Sequence, residues 1–463
     1  YEENLDTAPS VEISNFATQK SEAPIAGSDS SVGPLALADY EGNNTLGLFV
    51  GGNVVPGRYP APASSRLFRR SENKWVLDEA NTKLLANIGL VNAALWSDLD
   101  GDGWPELILA CEWGPIRIFS NQHGKLWEET EAMGLSVNTG LWQSVAVADV
   151  NGDGKLDIIA GNWGLNSAWH ASPAQPLTLV YGDLAGRNTS DILETEYDNR
   201  TEALVPRGLR DTLAVSLPFL TARFPSHAAW SKASLKDVLQ EHEPSSHRVT
   251  AKTLASTIFL NRNGKFEARP LPAEAQFSPT LGIAVADFDG DGHEDLFLAQ
   301  NFFAFPTEDS RQDASRGLLL RGDGHGGFES VPGQRSGLKL YGEQRGAAVA
   351  DYDHDGRPDL VVTQNGAATH LFHNTTGRPG LRIRLHGPEG NPDAIGARVR
   401  LKFASGLGPV REIHAGSGYW SQDSSTIVLA APTTPLAVEV LWPGGHRTET
   451  PVPPAAKEMH INR

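Results

Sequence analysis

The sequence predicts an all-β protein: a β-propeller of seven blades, with six or eight as the alternatives, plus a helical insertion and a small C-terminal β domain. Three observations lead to this prediction. An Asp-rich loop recurs four times in one register, and short apolar runs flank the copies. In addition, 47 glycines and 30 prolines among 463 residues indicate many turns, while an apolar fraction of 40% is enough for a core.

The repeated unit is a nine-residue loop with acidic or amide side chains at positions 1, 3, 5 and 9. Complete copies occupy residues 98–106, 149–157, 287–295 and 351–359. The apolar runs beside them are short, contain β-branched residues and are bounded by Gly and Asp, which is typical of buried strands. Two further copies, which begin at Asp39 and Asp183, have lost part of the acidic pattern.

The segments outside the repeat divide the chain into three expected parts. Residues 1–30 are rich in Ser, Ala and Glu without periodicity, so we expect a tail or linker. Residues 31–375 contain all the loops and are expected to form the propeller. Apolar residues at helical spacing within about 192–255 indicate an inserted helical segment. Alternating apolar residues in the last part, 376–463, indicate a compact β domain.

Calcium is the ion that the repeated loop favours. Every side-chain donor is a hard oxygen, Gly at position 6 permits a sharp bend, and position 7 can offer its backbone carbonyl. No His or Cys side chain stands at a donor position, which disfavours zinc and copper. An EF-hand would need Glu at position 12, where all four copies are apolar. We therefore predict about four Ca²⁺ sites, whose ligands are Asp98, Asp100, Asp102, Trp104, Glu106, Asp149, Asn151, Asp153, Lys155, Asp157, Asp287, Asp289, Asp291, His293, Asp295, Asp351, Asp353, Asp355, Arg357 and Asp359.

The charge of the chain restricts its partners and its compartment. The formal net charge is −17, which argues against binding nucleic acid. Calcium sites of extracellular modules are tuned to concentrations far above those of the cytosol, so we expect an extracellular, cell-surface or periplasmic protein. No apolar stretch approaches the roughly 18 residues of a membrane span. Cys111 is the only cysteine, so no internal disulfide can form.

A ring of polar residues is expected at the ends of the strands that follow the loops. Counting six residues on from position 9, or five in the shorter second copy, reaches a polar residue, and aromatic residues adjoin several of these positions. In a propeller, equivalent positions form a ring on one face, which could hold a glycan or a peptide. The alternative is that these side chains cap strand ends. The predicted ligand-binding residues are Asn53, Glu112, Trp113, Asn162, Trp163, Asn301 and Asn365.

Two parts of the sequence resemble known families. The loops and their strands, over about residues 30–375, resemble the FG-GAP (VCBS) repeats of integrin-α-like propellers. The segment 411–423, Arg-Glu-Ile-His-Ala-Gly-Ser-Gly-Tyr-Trp-Ser-Gln-Asp, resembles the ASPIC/UnbV domain that follows such propellers in the cartilage acidic protein family and its bacterial relatives. The resemblance implies a propeller fold and calcium sites, and it implies no established activity.

Three functions remain open at this point. The leading hypothesis is a calcium-binding recognition or cell-adhesion module that binds a glycan or protein through the propeller face. The alternatives are a polysaccharide lyase or hydrolase that uses the same face, and a structural subunit of a cell-surface assembly. No Gly-x-Ser-x-Gly, Walker or His-Glu-x-x-His motif occurs, so no catalytic residue is predicted and we favour a non-enzymatic role.

Overall fold

The computed structural model describes residues 7–15, 18–72, 74–305, 310–416 and 420–463. Antiparallel strands dominate these residues, and the helices are short. The predicted all-β fold is confirmed. None of the helices in these ranges is long and apolar enough to span a membrane.

The N-terminal part of the described chain forms a hairpin and two sheets. The hairpin consists of β1 (Val11–Asn15) and β2 (Lys20–Ile25). Sheet 1 consists of β3 (Val32–Ala38), β4 (Gly47–Gly52), β5 (Arg66–Ser71) and β6 (Lys74–Leu77), and α1 (Glu79–Leu84) follows it. Sheet 2 consists of β7 (Leu90–Ser97), β8 (Glu106–Gly114), β9 (Ile116–Gln122), β10 (Lys125–Glu128) and the short β11 (Gly140–Leu141).

Sheet 3 is interrupted by an insertion. It begins with β12 (Ser144–Ala148) and β13 (Asp157–Gly161). The insertion contains a sheet of β14 (Leu177–Gly182), β15 (Asp191–Asp198), β16 (Ala203–Pro206) and β17 (Ser246–Ala251). Between β16 and β17 lie α2 (Arg210–Ser216), α3 (Phe219–Arg223), α4 (His227–Trp230), α5 (Leu235–Leu239) and the 3-10 helix Gln240–Ser245. The chain then returns to sheet 3 with β18 (Thr257–Asn261) and β19 (Phe266–Pro270).

Two more sheets complete the repeated part of the chain. A 3-10 helix, Ala273–Gln276, precedes sheet 4. Sheet 4 consists of β20 (Thr280–Ala286), β21 (Asp295–Gln300), β22 (Leu318–Gly322) and β23 (Phe328–Val331), and α6 (Gly333–Ser336) follows it. Sheet 5 consists of β24 (Glu343–Ala350), β25 (Asp359–Asn365) and β26 (Ala367–Phe372).

The main cores lie between successive sheets. The first strands of sheets 1 to 5 contact one another in chain order, an arrangement that is compatible with a β-propeller. Because side chains alternate along a strand, both faces of each middle sheet are buried. In β8, for example, Leu107 and Leu109 pack toward sheet 1, whereas Ile108 and Ala110 pack toward sheet 3. This two-sided burial explains the continuous apolar runs after the loops.

The number of sheets differs from the prediction. Seven blades were predicted, whereas the described residues form five loop-bearing sheets in the chain-order series. One reason is that the loop at Asp183 joins β14 to β15 inside the inserted sheet and begins no blade. The N-terminal residues also differ from the expected tail, because β1 and β2 pair and bury Val11 and Ile25 against sheet 1. The predicted helical insertion contains strands as well as helices.

The C-terminal residues form two further sheets. Their strands are β27 (Leu381–His386), β28 (Arg398–Phe403), β29 (Gly406–Leu407), β30 (Arg411–Glu412), β31 (Thr426–Leu429), β32 (Ala437–Leu441), β33 (Arg447–Pro451) and β34 (Glu458–Asn462). One sheet has the order β31-β27-β34, and β27 and β34 run parallel. The other has the order β29-β28-β32-β33, and β30 also pairs with β28. They share a core that includes Ile383, Val399 and the fully buried Trp442.

Candidate metal centres and the opposite face

Each complete acidic loop joins the first strand of its sheet to the second. Position 1 directly follows the first strand, and position 9 is the first residue of the second strand, in sheets 2, 3, 4 and 5. The position-9 residues are Glu106, Asp157, Asp295 and Asp359. Because the sheets lie side by side in chain order, the four loops lie at corresponding ends of their sheets.

The four loops have the same hydrogen-bonding pattern. The position-1 carboxylate accepts the amide N–H of position 6 at 3.0, 2.9, 2.7 and 2.9 Å in chain order. The position-9 carboxylate accepts the amide N–H of position 2 at 2.9, 3.2, 2.9 and 3.2 Å. The position-6 glycines have φ between 84° and 99°, a conformation in which other residues are strained. The position-7 amides, of Trp104, Lys155, His293 and Arg357, donate to the position-5 carboxylates at 2.7 to 3.0 Å.

These bonds leave carboxylate oxygens grouped inside three of the four turns. Oxygens of three acidic groups lie within 4.8 Å of one another in the first, third and fourth loops. The groups are Asp98, Asp100 and Glu106; Asp287, Asp289 and Asp291; and Asp351, Asp353 and Asp359. The second loop has Asn151 at position 3 in place of an acid. Groups of this kind could hold a metal ion, although exposed acidic groups are also common without one.

A buried oxygen in the second loop provides a test of whether a cation fits. Asp149 is 1% exposed. Its Oδ2 accepts the amides of Gly154 at 2.9 Å and Val410 at 3.1 Å, whereas its Oδ1 is buried and has no hydrogen-bond partner in the described part of the chain. A buried ionised oxygen without a donor is costly, and a bound cation would compensate it. The residues of this loop therefore fit a divalent cation held by oxygen donors.

Burial also raises the pKa of the loop carboxyls. The pKa of Asp98, Asp157 and Asp287 rises from 3.8 to about 7, and that of Asp295 rises to about 8. Burial is the largest cause in each case, and neighbouring carboxylates add to it. For Glu106 the same causes place the pKa well above its ordinary value. A cation among these oxygens would favour their ionised form.

The two incomplete copies lack this arrangement. In the loop at Asp39, Gly47 occupies position 9, and the Asp39 carboxylate accepts two backbone amides at 2.9 and 3.0 Å. In the loop at Asp183, the guanidinium of Arg187 donates to Asp191 at 2.5 Å. A positive side chain of the protein thus contacts the acid that closes this second loop.

The C-terminal sheets contact the loops of sheets 2 and 3 through buried polar groups. Nη1 of Arg398 lies 3.4 Å from Oδ2 of Asp98 and donates to the Asp98 carbonyl at 3.2 Å. Nη2 of the same guanidinium donates to the Gly154 carbonyl at 3.1 Å. Together with the amide of Val410 on Asp149, these bonds tie the position-1 residues of two loops to the C-terminal part.

Sheets 4 and 5 are held in the same way. Arg382 forms a buried ion pair with Asp351, the position-1 residue of the fourth loop. Arg411 forms an ion pair with Glu294, next to the last position of the third loop, and donates to the Val285 carbonyl at 2.9 Å. Each complete loop or its flanking strand therefore contacts the C-terminal part, which covers this end of the sheets.

The segment 411–423, which resembles an ASPIC/UnbV motif, contacts the first strands of the repeated sheets. Glu412 accepts the hydroxyl of Ser97 at 2.5 Å and the amide of Asp98 at 3.1 Å. The Ala415 carbonyl accepts the Leu37 amide of sheet 1 at 3.0 Å, and Oδ1 of Asp423 accepts the Val349 amide of sheet 5 at 2.8 Å. This segment therefore joins the first strand of sheet 1 to that of sheet 5. Tyr419, also in the motif, lies outside the described residues.

A set of asparagines that the sequence analysis missed joins neighbouring sheets beside the loops. Each stands at or just after the end of a third strand and donates to two carbonyls, one at position 8 of its own loop and one at position 2 of the preceding sheet's loop. They are Asn121, Asn261 and Asn374. Each side-chain oxygen also accepts the amide of a glycine three residues on. The recurring Asn-x-x-Gly pattern is the signal that could have found them.

The predicted polar ring lies at the opposite end of the sheets from the loops. Asn162 and Asn301 are 0% exposed. Asn162 accepts the amides of Leu141 and Trp163, and Asn301 donates to the carbonyls of Ser315 and Gly342. Strand ends and loops thus bond and cover the polar groups of these two asparagines, as the alternative of strand-end capping expects.

The other predicted ring residues are partly accessible or pair with neighbours. Asn53 donates to the Val91 carbonyl at 3.0 Å. Glu112 accepts the Tyr59 hydroxyl at 2.6 Å, and the Trp113 indole donates to that hydroxyl at 2.8 Å. The exposed Asn365 donates to Glu343 at 3.2 Å, and Trp163 is 9% exposed.

Comparison with known proteins identifies two parts of the chain. The family described as FG-GAP-like repeat matches residues 98–160, and the family described as ASPIC and UnbV matches residues 387–463. Over 196 residues the chain is 26% identical to Cartilage acidic protein 1 of Xenopus tropicalis. That match covers 40% of this chain and 29% of the relative, so it spans less than a third of the relative's length. The predicted resemblance to both families is confirmed.

Two solved structures are distantly similar. The biofilm matrix protein Bap1 of V. cholerae has 13% identity and a TM-score of 0.29, over 98% of this chain and 63% of that one. The exotype rhamnogalacturonan lyase YesX has 12% identity and a TM-score of 0.31, over 93% of this chain and 73% of that one.

FG-GAP-like repeats and ASPIC/UnbV domains are typical of extracellular or periplasmic proteins with adhesion or recognition roles.

Proposed function

We propose that this protein, which carries an FG-GAP-like repeat and an ASPIC/UnbV domain, is a calcium-stabilised recognition module that acts outside the cytosol and binds a glycan. Calcium would be held by the four complete loops, through carboxylate oxygens, the amide oxygen of Asn151 and the position-7 carbonyls. Its role would be structural: it would neutralise the buried carboxylates and hold together the first two strands of sheets 2 to 5. The ligand would bind at the end of the sheets opposite the loops.

The observation that carries this proposal is the cover over the loops. Ion pairs and backbone hydrogen bonds from the C-terminal part reach every complete loop or its flanking strand, so a ligand has little access to that end. The opposite end has half-buried aromatic side chains, among them Trp113, Trp169 and Phe302. Half-buried aromatic rings suit the apolar faces of sugars and are also common in other recognition surfaces.

The calcium part is tested by thermal unfolding in EDTA, Ca²⁺ and Mg²⁺, with metal analysis of the purified protein. We expect Ca²⁺ to raise the Tm, because it binds the folded loops and not the unfolded chain. The variant Asp100→Ala, at exposed position 3 of a complete loop, should reduce this increment. Its matched control is Glu41→Ala, at position 3 of the incomplete first loop, which should leave the increment unchanged. Metal binding by the complete loops would be contradicted if Ca²⁺ did not raise the Tm of the wild-type protein. It would also be contradicted if both variants reduced the rise in Tm equally.

The ligand part is tested with a glycan array probed in excess Ca²⁺, followed by incubation with any bound glycan. We expect binding without new reducing or unsaturated ends. Cleavage of the glycan would instead favour the carbohydrate-active enzyme. Absence of binding across the array would reject the glycan and leave the calcium result standing on its own.

A further inference from the structure

The inserted sheet and sheets 3 and 4 together form an aromatic strip at the end opposite the loops. The ring of Trp163 lies 5.2 Å from that of Trp169 and 5.3 Å from that of Phe302, measured between centroids. Phe305 completes the cluster at 5.5 Å from Phe302. Trp163 is 9% exposed, whereas Trp169, Phe302 and Phe305 are half-buried. The strip therefore offers aromatic surface to solvent over a buried tryptophan.

Arginines stand over the rings of this strip and beside it. The guanidinium of Arg207 lies 6.0 Å from the Trp169 ring, and that of Arg345 lies 5.4 Å from the Phe302 ring. Arg311 lies 5.5 Å from the ring of the adjacent Phe303. The formal net charge of the chain is −17, so three guanidinium groups at one aromatic strip are a local exception to its acidity.

The arginines differ in whether the protein neutralises them. Arg345 pairs with the buried Glu343. Arg207 forms no ion pair in the described part of the chain, and its Nη1 is buried there without a hydrogen-bond partner. Glu194 lies close by, but its carboxylate accepts the Trp169 indole at 3.2 Å and does not pair with Arg207. Arg207 as a whole is half-buried, and no ion pair neutralises its charge within the described residues.

A second donor in the same cluster is also unused. Nε1 of Trp163 is buried and has no hydrogen-bond partner in the described residues, and Trp163 as a whole is 9% exposed. Buried donors without acceptors are rare in folded proteins. Nε1 of Trp163 and Nη1 of Arg207 both lie in or beside this cluster without an acceptor among the described residues.

We infer that this strip binds an anionic glycan that carries uronic acid carboxylates. A carboxylate would pair with the half-buried guanidinium of Arg207, and the C–H face of a pyranose ring would lie on Trp169 or Phe302. The inference rests on the proposed function, because it names the class of glycan that the recognition face takes. It requires no metal ion at the strip.

The test is a calorimetric titration of the full chain in excess Ca²⁺ with uronate tetramers. The panel consists of glucuronate, galacturonate and mannuronate tetramers, each as the free acid and as the full methyl ester, plus a polyglutamate peptide. The ester keeps the sugar and removes the charge. We expect at least one free acid to bind, and its ester to bind at least about tenfold more weakly, since a charge-assisted pair contributes at least about 1.4 kcal/mol.

Two variants test whether Arg207 is the positive group that binds the carboxylate of the glycan. Arg207→Met keeps the length of the stem and should weaken the free acid about tenfold, while the ester is unaffected. Arg200→Met, at an exposed arginine in the same inserted sheet's β15–β16 turn, is the control and should change neither. Both variants are first checked for a wild-type Tm.

The outcomes separate this inference from the proposed function. Equal binding of acid and ester, or an Arg207→Met variant that binds the acid like wild type, would overturn the anionic-glycan inference and leave a glycan-binding protein. Binding of polyglutamate without any uronate would overturn it in favour of an acidic peptide. If the calcium increment in Tm is intact and no glycan of any kind binds, the glycan part of the proposed function fails as well.

Discussion

Raising the pH from 5 to 8 in the presence of EDTA should destabilise this protein. Asp98, Asp157 and Asp287 have a pKa of about 7 in the folded chain, and Asp295 has a pKa of about 8, compared with 3.8 for an ordinary Asp. Between these values the folded state keeps protons that the unfolded state has released. Stability therefore falls as the pH rises from about 4 to about 8.

The magnitude follows from the size of the rise in pKa. An Asp with a pKa of 3.8 unfolded and about 7 folded contributes about 4 kcal/mol less stability when it is ionised than when it is protonated. The groups within a loop titrate together, so the four effects do not add fully. A total of about 4 kcal/mol or more corresponds to a fall in Tm of about 4 °C or more for a chain of this size.

Differential scanning calorimetry at pH 5, 6, 7 and 8 measures this effect, with EDTA or with excess Ca²⁺. In Ca²⁺ the carboxylates are ionised throughout the upper part of this range, so the Tm should vary less and the gap between the two conditions should widen with pH. Repeating the EDTA series in about 0.5 M KCl is the control. Salt screens the repulsion among exposed acids but has little effect on buried groups.

Two results would refute the reasoning. If the Tm in EDTA is constant or rises between pH 5 and 8, the loop carboxyls are not buried in the way the structure indicates. If the fall is present but disappears in KCl, it comes from the surface charge of the chain and not from the loops.

Three further perturbations test other contacts. Asn261→Ala should lower the free energy of unfolding in urea by about 2–4 kcal/mol, because two buried carbonyls lose their donor; a loss below about 0.5 kcal/mol would contradict the bridge between sheets. Arg398→Met should speed hydrogen exchange at the amides around Asp98 and increase proteolysis of the C-terminal part, and unchanged rates would show that this ion pair does not hold the cover. Asn301→Ala should destabilise by about 2–4 kcal/mol and the exposed Asn365→Ala by less than about 1 kcal/mol; equal losses would contradict the assignment of Asn301 as a buried strand-end residue.

The local features of this protein were predictable from its sequence. The strands beside the loops follow from apolar runs that end at Asp and Gly, and the first residue of each second strand is the position-9 acid that the repeat indicated. These features depend on backbone bending and strand burial over about ten residues, so the sequence of that stretch contains the information. The hairpin at β1 and β2 gave no such signal, because its side chains are almost all exposed.

The number of sheets and the burial of the predicted ring residues could not be predicted from the sequence, because both depend on which strands pair. The loop at Asp183 has two of the acids of the repeat, yet its strands pair inside the insertion, and a nine-residue pattern does not specify the partner strand. Asn162 and Asn301 looked like candidates for a binding face because of their spacing. Their burial results from neighbouring loops that are distant in sequence, such as the Gly342 carbonyl that Asn301 contacts.

The sequence by itself determined that the protein is built of strands with repeated oxygen-donor turns and ends in a second β unit. Only the tertiary structure decided that the second unit lies on those turns, through pairs such as Arg398 with Asp98, which are 300 residues apart. Only it brought Arg207 of the insertion over an aromatic strip at the other end. The physical reason is the separation in sequence of the interacting residues. Turn geometry and strand burial depend on a few neighbouring residues, whereas the packing of the C-terminal part on the loops depends on the surfaces of sheets that have already formed.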